Sequence, residues 1–198
     1  MRWHGRRAAS ASELTSAGAL GGLLFLLVCV VVAARQEARA EPDPRAGGAA
    51  SAADPALRPE ELLFPVPAAS RSAMADSFND ARGGRIHHAV DIMAPRHSEV
   101  VAVADGSIAR LTSSAAGGIA VYEWSADQRL VYYYAHLQGY APDLREGQTV
   151  RRGQVLGYVG TSGNAPANTP HLHFAIARVE KKNQWWGGAP VDPYPMWR

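Results

Sequence analysis

Most of the chain's seven histidines lie in three short segments that together could support metal-dependent chemistry. The segments read His-His-Ala-Val-Asp at 87–91, Tyr-Ala-His-Leu at 134–137 and His-Leu-His-Phe at 171–174. A catalytic zinc needs three protein ligands, commonly imidazole or carboxylate, and an open position for water. The segments hold enough histidines to leave some for proton transfer. We therefore predict a metal-dependent hydrolytic site.

The spacing within the segments brings side chains together. His87 and Asp91 are four residues apart, a separation that shares one face of a helix and also one face of a strand. His171 and His173 share one face of a strand by the same argument. His87, Asp91 and one member of the His171/His173 pair supply three ligands. The other member remains, with His136, for proton transfer, and spacing alone leaves both members open as the ligand.

Short strands are the elements that must position these residues. From residue 62 onward, β-prone runs are separated by Gly, Asn, Asp and Ser, and several runs alternate apolar and polar residues. Asp105-Gly106 predicts a hairpin between the strands on either side of it. The fold class is therefore all-β, a compact antiparallel β-sandwich or partly open barrel. The predicted strands span residues 89–94, 99–104, 107–112, 119–125, 129–136, 154–159 and 171–179.

The strand that ends at His136 carries three consecutive tyrosines. Because side chains alternate along a strand, we expect Tyr132 and Tyr134 on the same face as His136. Tyr133 is expected on the opposite face. One of these tyrosines could line a substrate groove, and packing within the sheet is the alternative role.

Composition excludes several classes of function. The chain has 198 residues, 47% hydrophobic and 19% charged, which fits one folded domain with extensions. Residues 1–40 hold five arginines against two glutamates, which leaves the rest with 15 basic and 16 acidic residues. That balance argues against a nucleic-acid-binding face. Cys29 is the single cysteine, so no intrachain disulfide forms.

The N-terminal part has the pattern of a targeting segment. Residues 1–17 are a basic region, and residues 18–34 are uncharged and apolar. We expect 18–34 to form an apolar helix that is either the core of a cleaved signal peptide or an uncleaved membrane anchor. A small-x-small cleavage pattern follows at residues 38–40.

The order of these segments predicts where the folded part works. Residues 35–61 are rich in Ala, Pro, Arg, Asp and Gly and are predicted to be a disordered linker. Residues 62–198 form the predicted folded domain. Basic residues before the apolar run predict export. We expect the domain in the periplasm, or anchored on the periplasmic side of the inner membrane.

Taken together and in order, the motifs resemble the lysostaphin/LytM-type zinc metallopeptidases, which cleave peptide bonds in peptidoglycan. The resemblance covers about residues 62–195. It rests on the three histidine segments and on further motifs: Phe64-Pro65-Val66, Asp105-Gly106, Gly147-Gln148-Thr149-Val150, Gly160-Thr161-Ser162-Gly163 and Thr169-Pro170.

Carried over residue by residue, the resemblance implies a role for each position. It makes His87, Asp91 and His173 the ligands of a Zn²⁺ cofactor, and His136 and His171 the catalytic histidines. The implied protein is a LytM-type zinc metallopeptidase domain at 62–198 that hydrolyses peptidoglycan stem-peptide cross-links. One departure concerns the residue two positions after the first ligand, which is usually Gly in the family and is Ala89 here.

Two other functions compete with this interpretation. A catalytically silent relative would bind peptidoglycan or activate another hydrolase, and we would expect it to have lost some of the five chemical residues, all of which are present. A lipoyl- or biotinyl-type carrier needs a lysine at a hairpin tip. The only lysines are Lys181 and Lys182, outside the Gly-rich region, which argues against a carrier.

Overall fold

The computed structural model describes residues 62–198, which are almost entirely β-structure. Two 3₁₀ helices, Arg71–Ala73 and Tyr194–Met196, flank the strands. The strands are β1 Ala81–Arg82, β2 Arg85–Ile86, β3 Val90–Met93, β4 Glu99–Val101, β5 Gly106–Ser114, β6 Gly118–Ser125, β7 Leu130–Tyr140, β8 Thr149–Val150, β9 Val155–Val159, β10 His171–Arg178 and β11 Ala189–Val191.

The apolar segment predicted at residues 18–34 and the linker predicted at 35–61 lie outside the described residues. Within residues 62–198, no helix is both long enough and apolar enough to cross a membrane.

Nine strands form one antiparallel sheet, and β1 and β2 form a separate two-stranded hairpin. The main path runs β11-β10-β7-β6-β5-β8. The N-terminal half of β10 pairs with β3 and its C-terminal half pairs with β11, while β7 lies along its other edge. β9 joins β7 to β4. The prediction of an antiparallel all-β fold is confirmed.

Each face of the sheet packs a different apolar cluster. The larger cluster includes Phe174, Ile176 and the C-terminal Trp197, whose indole Nε1 donates to the carbonyl of Leu62. The smaller cluster is built around small side chains and two tyrosines: Ala89, Ala120, Tyr122, Val131, Tyr133, Ala135 and Ala175. Since successive strand residues point to opposite faces, the alternation in β10 assigns His171 and His173 to the face of the smaller cluster.

The hairpin predicted at Asp105-Gly106 is wrong. β4 pairs with β9, and β5 pairs with β6 and β8, so the strands on either side of this dipeptide are not partners. Gly106 is instead needed for close approach, because a Cβ there would collide with the carbonyl oxygen of Trp124. Asp105 accepts a hydrogen bond from the backbone N–H of Arg152 at 2.8 Å.

A buried carboxyl group links β6 to β7 beneath the sheet. Glu123 is fully buried and accepts a hydrogen bond from the Tyr134 hydroxyl at 2.6 Å. The Tyr134 hydroxyl in turn accepts from the backbone N–H of Val103 at 3.0 Å. Burial raises the pKa of Glu123 to about 8, although the Tyr134 hydrogen bond favours the ionised form.

We predict that this carboxyl group makes the stability of the fold depend on pH. The unfolded chain releases the Glu123 proton near pH 4.5, whereas the folded chain holds it until about pH 8. The stabilising contribution is therefore full below pH 4.5 and is lost progressively as the pH rises to about 8. Urea unfolding across this range should show a smaller loss for Glu123→Gln than for the unsubstituted protein. Parallel stability profiles would contradict this role for Glu123.

Candidate metal centre and active site

The pairing of β3 with β10 places two of the predicted ligands side by side. Asp91 and His173 are direct cross-strand partners in the antiparallel register. His173 Nδ1 lies 3.1 Å from Asp91 Oδ1. Cross-strand partners share a face of the sheet, so this contact follows from the register alone. The Asp91 side chain is 15% exposed and that of His173 is 4% exposed.

His87 completes the group from the connection between β2 and β3. Its Nε2 atom lies 3.1 Å from His173 Nδ1 and 3.3 Å from Asp91 Oδ1. Its Nδ1 atom lies 3.0 Å from the Ser77 carbonyl oxygen, which can only accept a hydrogen bond. Nδ1 therefore carries a proton, and Nε2 is the ring nitrogen that faces the other two residues.

The three ligand atoms lie at separations that fit a shared metal ion. With zinc–nitrogen and zinc–oxygen bonds of about 2.0–2.1 Å, the edges of a tetrahedron are about 3.3 Å, close to the three observed separations. His87, Asp91 and His173 are thus a set of residues that could hold a metal ion.

The charge state of Asp91 suits a ligand. Burial raises the pKa of Asp91, but hydrogen bonds and charge interactions with His173 and His87 outweigh burial and hold the pKa well below its usual range. Asp91 Oδ2 also accepts a hydrogen bond from Arg82 Nη1 at 2.8 Å. The carboxylate therefore stays ionised at neutral pH, with Oδ1 directed at the two histidines.

His171 borders the ligand group from the same face of β10. Its Nε2 atom lies 3.9 Å from Asp91 Oδ1, farther than the mutual distances within the ligand group. Its Nδ1 atom lies 2.7 Å from the Thr169 carbonyl oxygen, so Nδ1 carries the proton. The neutral His171 ring can therefore accept a proton on Nε2.

His136 reaches the site through a break in the alternation of β7. Its backbone φ is +61°, in the left-handed region that is uncommon for any residue other than glycine. Its ring lies 5.0 Å from that of His171 and 5.5 Å from that of His173, measured between centroids. Its Nδ1 atom lies 2.8 Å from the carbonyl oxygen of Ser162, so Nε2 is again the proton-accepting atom.

The positive φ overturns the expectation that His136 shares a face with Tyr132 and Tyr134. Tyr132 and Tyr134 lie in the larger cluster, on the face away from the site. Tyr133 lies in the smaller cluster, and its ring centroid is 6.0 Å from that of His173. Simple alternation would put His136 on the side of Tyr134, and the left-handed backbone turns it to the side of Tyr133.

One loop, residues 160–170, orients both His136 and His171. Ser162 and Thr169 supply the two carbonyl oxygens that face their Nδ1 atoms. The Ser162 hydroxyl fixes one end of this loop, because it accepts from Ile119 N at 2.9 Å and donates to Leu137 O at 2.7 Å.

An arginine outside the site holds the rest of this loop. Arg96 Nη2 donates to Thr161 Oγ1 at 2.8 Å and to the Ala167 carbonyl oxygen at 3.2 Å. Arg96 Nη1 donates to Gln138 Oε1 at 2.6 Å, just beyond His136 in β7. The guanidinium group thus ties both parts of the loop to the strand that carries His136.

Comparison with known proteins decides the family. The model of peptidase family M23 matches residues 85–193, which include all five predicted site residues. The chain belongs to peptidase family M23. The resemblance to lysostaphin/LytM-type peptidases is thereby confirmed.

Individual relatives agree with this assignment of the M23 domain. The L-Ala–D-Glu endopeptidase of Bacillus subtilis is 33% identical over 150 residues, which cover 70% of this chain and 43% of that protein. The catalytic domain of lysostaphin from Staphylococcus simulans superposes with a TM-score of 0.52 at 25% identity, over 62% of this chain and 89% of that one. A candidate glycyl-glycine endopeptidase, LytM, from Ruminococcus gnavus superposes with a TM-score of 0.57 at 28% identity. The superposition covers 69% of this chain and 59% of that one.

The M23 domain accommodates Ala89 at the position where the family usually has glycine. Ala89 is fully buried in the smaller cluster, which also contains Ala135 and Ala175. The methyl group is part of this cluster, and His87 Nε2 lies 3.3 Å from Asp91 Oδ1.

Sequence reasoning missed the hairpin that borders the metal centre. β1 and β2 are joined by Gly83-Gly84, whose φ values are +57° and +84°. Two positive φ values are what a type I′ turn requires, so a Gly-Gly pair between short strands was the available signal. Arg82, the partner of Asp91, lies on this hairpin.

We predict that zinc stabilises the M23 domain through the three ligands. Ligand binding to the folded state alone raises the unfolding free energy by about 2.7 kcal/mol at a concentration of 100 Kd. Added zinc should therefore raise the Tm by several degrees, and Asp91→Ala should abolish the shift. Asp127→Ala is the matched control, because Asp127 lies in the turn at the far end of β7 and should keep the shift. An equal shift in Asp91→Ala would rule out this ligand set.

Proposed function

We propose that the M23 domain is a zinc-dependent endopeptidase that hydrolyses amide bonds in the peptide cross-links of peptidoglycan. The observation that carries the proposal is the arrangement of two proton-accepting histidines at the border of three metal-ligand atoms. The B. subtilis relative is an L-Ala–D-Glu endopeptidase, and this supports the substrate class. The chain covers less than half of the curated relatives it matches, so the substrate is part of the proposal.

The residues suit a hydrolysis in which water attacks an amide carbonyl. His87, Asp91 and His173 would hold the zinc ion, which when bound polarises the carbonyl and lowers the pKa of the attacking water. His136 and His171 would accept the water proton on Nε2 and return it to the leaving amine. Protonated, either ring would also stabilise the negative charge that develops on the carbonyl oxygen.

The two catalytic histidines are fixed in the tautomer that this role requires. Each Nδ1 proton is held by a backbone carbonyl oxygen, of Ser162 for His136 and of Thr169 for His171. A backbone carbonyl cannot change its protonation, so the ring orientation is set before substrate arrives. Positioning of this kind removes part of the entropic barrier to reaction.

We expect zinc binding and turnover to be separable by substitution. His171→Ala should retain zinc, since His171 is not in the ligand set, and should lower kcat by about 10²–10⁴-fold, the usual contribution of general acid–base catalysis. His173→Ala, or a chelator, should remove both zinc and activity. The assay is release of soluble peptides from purified peptidoglycan, with metal analysis of each protein.

Two outcomes of this assay would reject parts of the proposal. If cleavage is unchanged both in the presence of a chelator and in His173→Ala, the metallopeptidase mechanism is wrong. Zinc binding without cleavage of any peptidoglycan peptide would favour a silent peptidoglycan-binding module. Asp127→Ala serves again as the control that should retain zinc and turnover.

We also expect Arg96 to act as a positioning residue for both catalytic histidines. Arg96→Ala should release the loop at residues 160–170 and lower kcat by about tenfold or more, since small displacements of catalytic groups are costly. Zinc affinity should stay unchanged, because the ligands lie on β3, β10 and the segment before β3. Steady-state kinetics measure kcat, and zinc titration measures the affinity for zinc. Arg129→Ala, on the distant β6–β7 turn, is the control and should change neither. Parallel losses of zinc affinity and kcat would indicate general destabilisation instead.

A further inference from the structure

The β1–β2 hairpin lies beside the metal centre and touches two of its three ligands. Its base closes with a hydrogen bond from His87 N to Asp80 O at 2.9 Å, so the hairpin ends at a ligand. From β1, Arg82 Nη1 donates to Asp91 Oδ2 at 2.8 Å. Two pockets of about 290 and 300 Å³ form a groove along the ligand group, and Arg82 lines both of them. Arg82 therefore joins the hairpin to the ligand group inside this groove.

The hairpin itself is exposed to solvent. Every residue from 81 to 86 is exposed, including the apolar Ile86 at 41%. A two-stranded hairpin is only marginally stable in water by itself. Contacts with the rest of the domain therefore decide how firmly the hairpin is held. The bond from Arg82 to Asp91 is such a contact, and it is strengthened by the charges of both groups.

The same contact gives the two oxygens of the Asp91 carboxylate different partners. Oδ1 lies 3.1 Å from His173 Nδ1 and 3.3 Å from His87 Nε2, whereas Oδ2 accepts from Arg82. A carboxylate can bind a metal ion through one oxygen or through both. Hydrogen bonds to a ligating carboxylate fix which way it is turned. With Oδ2 engaged by Arg82, Oδ1 is the atom that is directed at the two histidines.

The positive charge of Arg82 opposes metal binding only weakly. The Arg82 side chain is 47% exposed, so solvent screens its repulsion of a cation. Asp80 Oδ2, 3.9 Å from Arg82 Nη2, offsets part of the charge. The hydrogen bond to Asp91 is short and direct by comparison. The orientation that Arg82 gives to Asp91 therefore outweighs the repulsion.

We propose that Arg82 is a positioning residue that couples the β1–β2 hairpin to the metal centre. It holds Asp91 Oδ2 so that Oδ1 is presented to the metal together with His87 and His173. Binding of the metal in turn holds the hairpin against the domain, because coupling between two equilibria is reciprocal. The inference rests on the zinc ligand set of the proposed function and adds one residue and one element to it.

Zinc affinity tests the positioning of Asp91. Competition with a chromophoric chelator measures the Kd of the full chain for Zn²⁺. Arg82→Gln should weaken zinc binding about 10–100-fold, the usual effect of losing a group that orients a metal ligand. Arg110→Gln is the matched control and should leave the Kd unchanged. Arg110 forms an exposed ion pair with Glu146 at 3.1 Å and lies on β5, which carries none of the five site residues.

Limited digestion with trypsin tests the coupling of the hairpin to the metal. The bond after Arg85 lies in exposed β2 and is present in both the unsubstituted chain and Arg82→Gln. Saturating zinc should slow the initial cleavage after Arg85 in the unsubstituted chain by about the factor that Arg82→Gln loses in zinc affinity. In Arg82→Gln zinc should have little effect on this bond. Cleavage after Arg129, which is 64% exposed in the β6–β7 turn, is the internal control and should not respond to zinc.

The outcomes separate failure of this inference from failure of the proposed function. Equal zinc affinity in Arg82→Gln and the unsubstituted chain would overturn the positioning role and leave the metal centre intact. Equal protection of the bond after Arg85 in both proteins would overturn the coupling. A metal-free Tm of Arg82→Gln well below that of Arg110→Gln would assign the loss of affinity to general destabilisation and overturn the inference. An unsubstituted chain that binds no zinc would reject the ligand set and the proposed function with it.

Discussion

The cross-strand pairing of Asp91 with His173 is the constraint on which the rest of the site depends. An antiparallel register fixes the two side chains on one face of the sheet at 3.1 Å, without help from any loop. His87 then needs only to be held beside this pair. The Ser77 carbonyl oxygen holds it by accepting a hydrogen bond from His87 Nδ1. A slip of one residue in the β3–β10 register would turn Asp91 to the opposite face and dismantle the ligand set.

The groups that would move protons are held by a different part of the molecule. Strand register and a short connection position the ligands, whereas the loop at residues 160–170 orients the rings of His136 and His171 through its own carbonyl oxygens. This division separates affinity for metal from orientation of the proton acceptors. It also explains how Arg96, whose hydrogen bonds go to Gln138, Thr161 and Ala167, would influence chemistry through the loop.

The sequence predicted those features that depend on regular periodicity. His171 and His173 share a face because β10 is an uninterrupted strand, and alternation holds along its length. Alternation failed at His136, because a φ of +61° leaves no mark in the residue pattern. Asp105-Gly106 was misread because a glycine needed for close approach to Trp124 looks the same in sequence as one needed for a turn. The prediction of His173 as a ligand came from the family resemblance, since spacing alone could not separate it from His171.

Three departures from local stability rules lie around one groove. His136 adopts a left-handed conformation that costs free energy in a residue with a side chain. Arg82 and Arg85 oppose each other across a hairpin, and three possible metal-ligand atoms converge at His87, Asp91 and His173. By contrast, the buried carboxyl of Glu123 lies with Tyr134 on the face of the larger cluster and is protonated there. The cluster of His87, Asp91 and His173 is the departure that a bound cation would relieve, because one ion between the three atoms would satisfy them together. Local conflicts of this kind concentrate at functional sites, where a ligand offsets their cost.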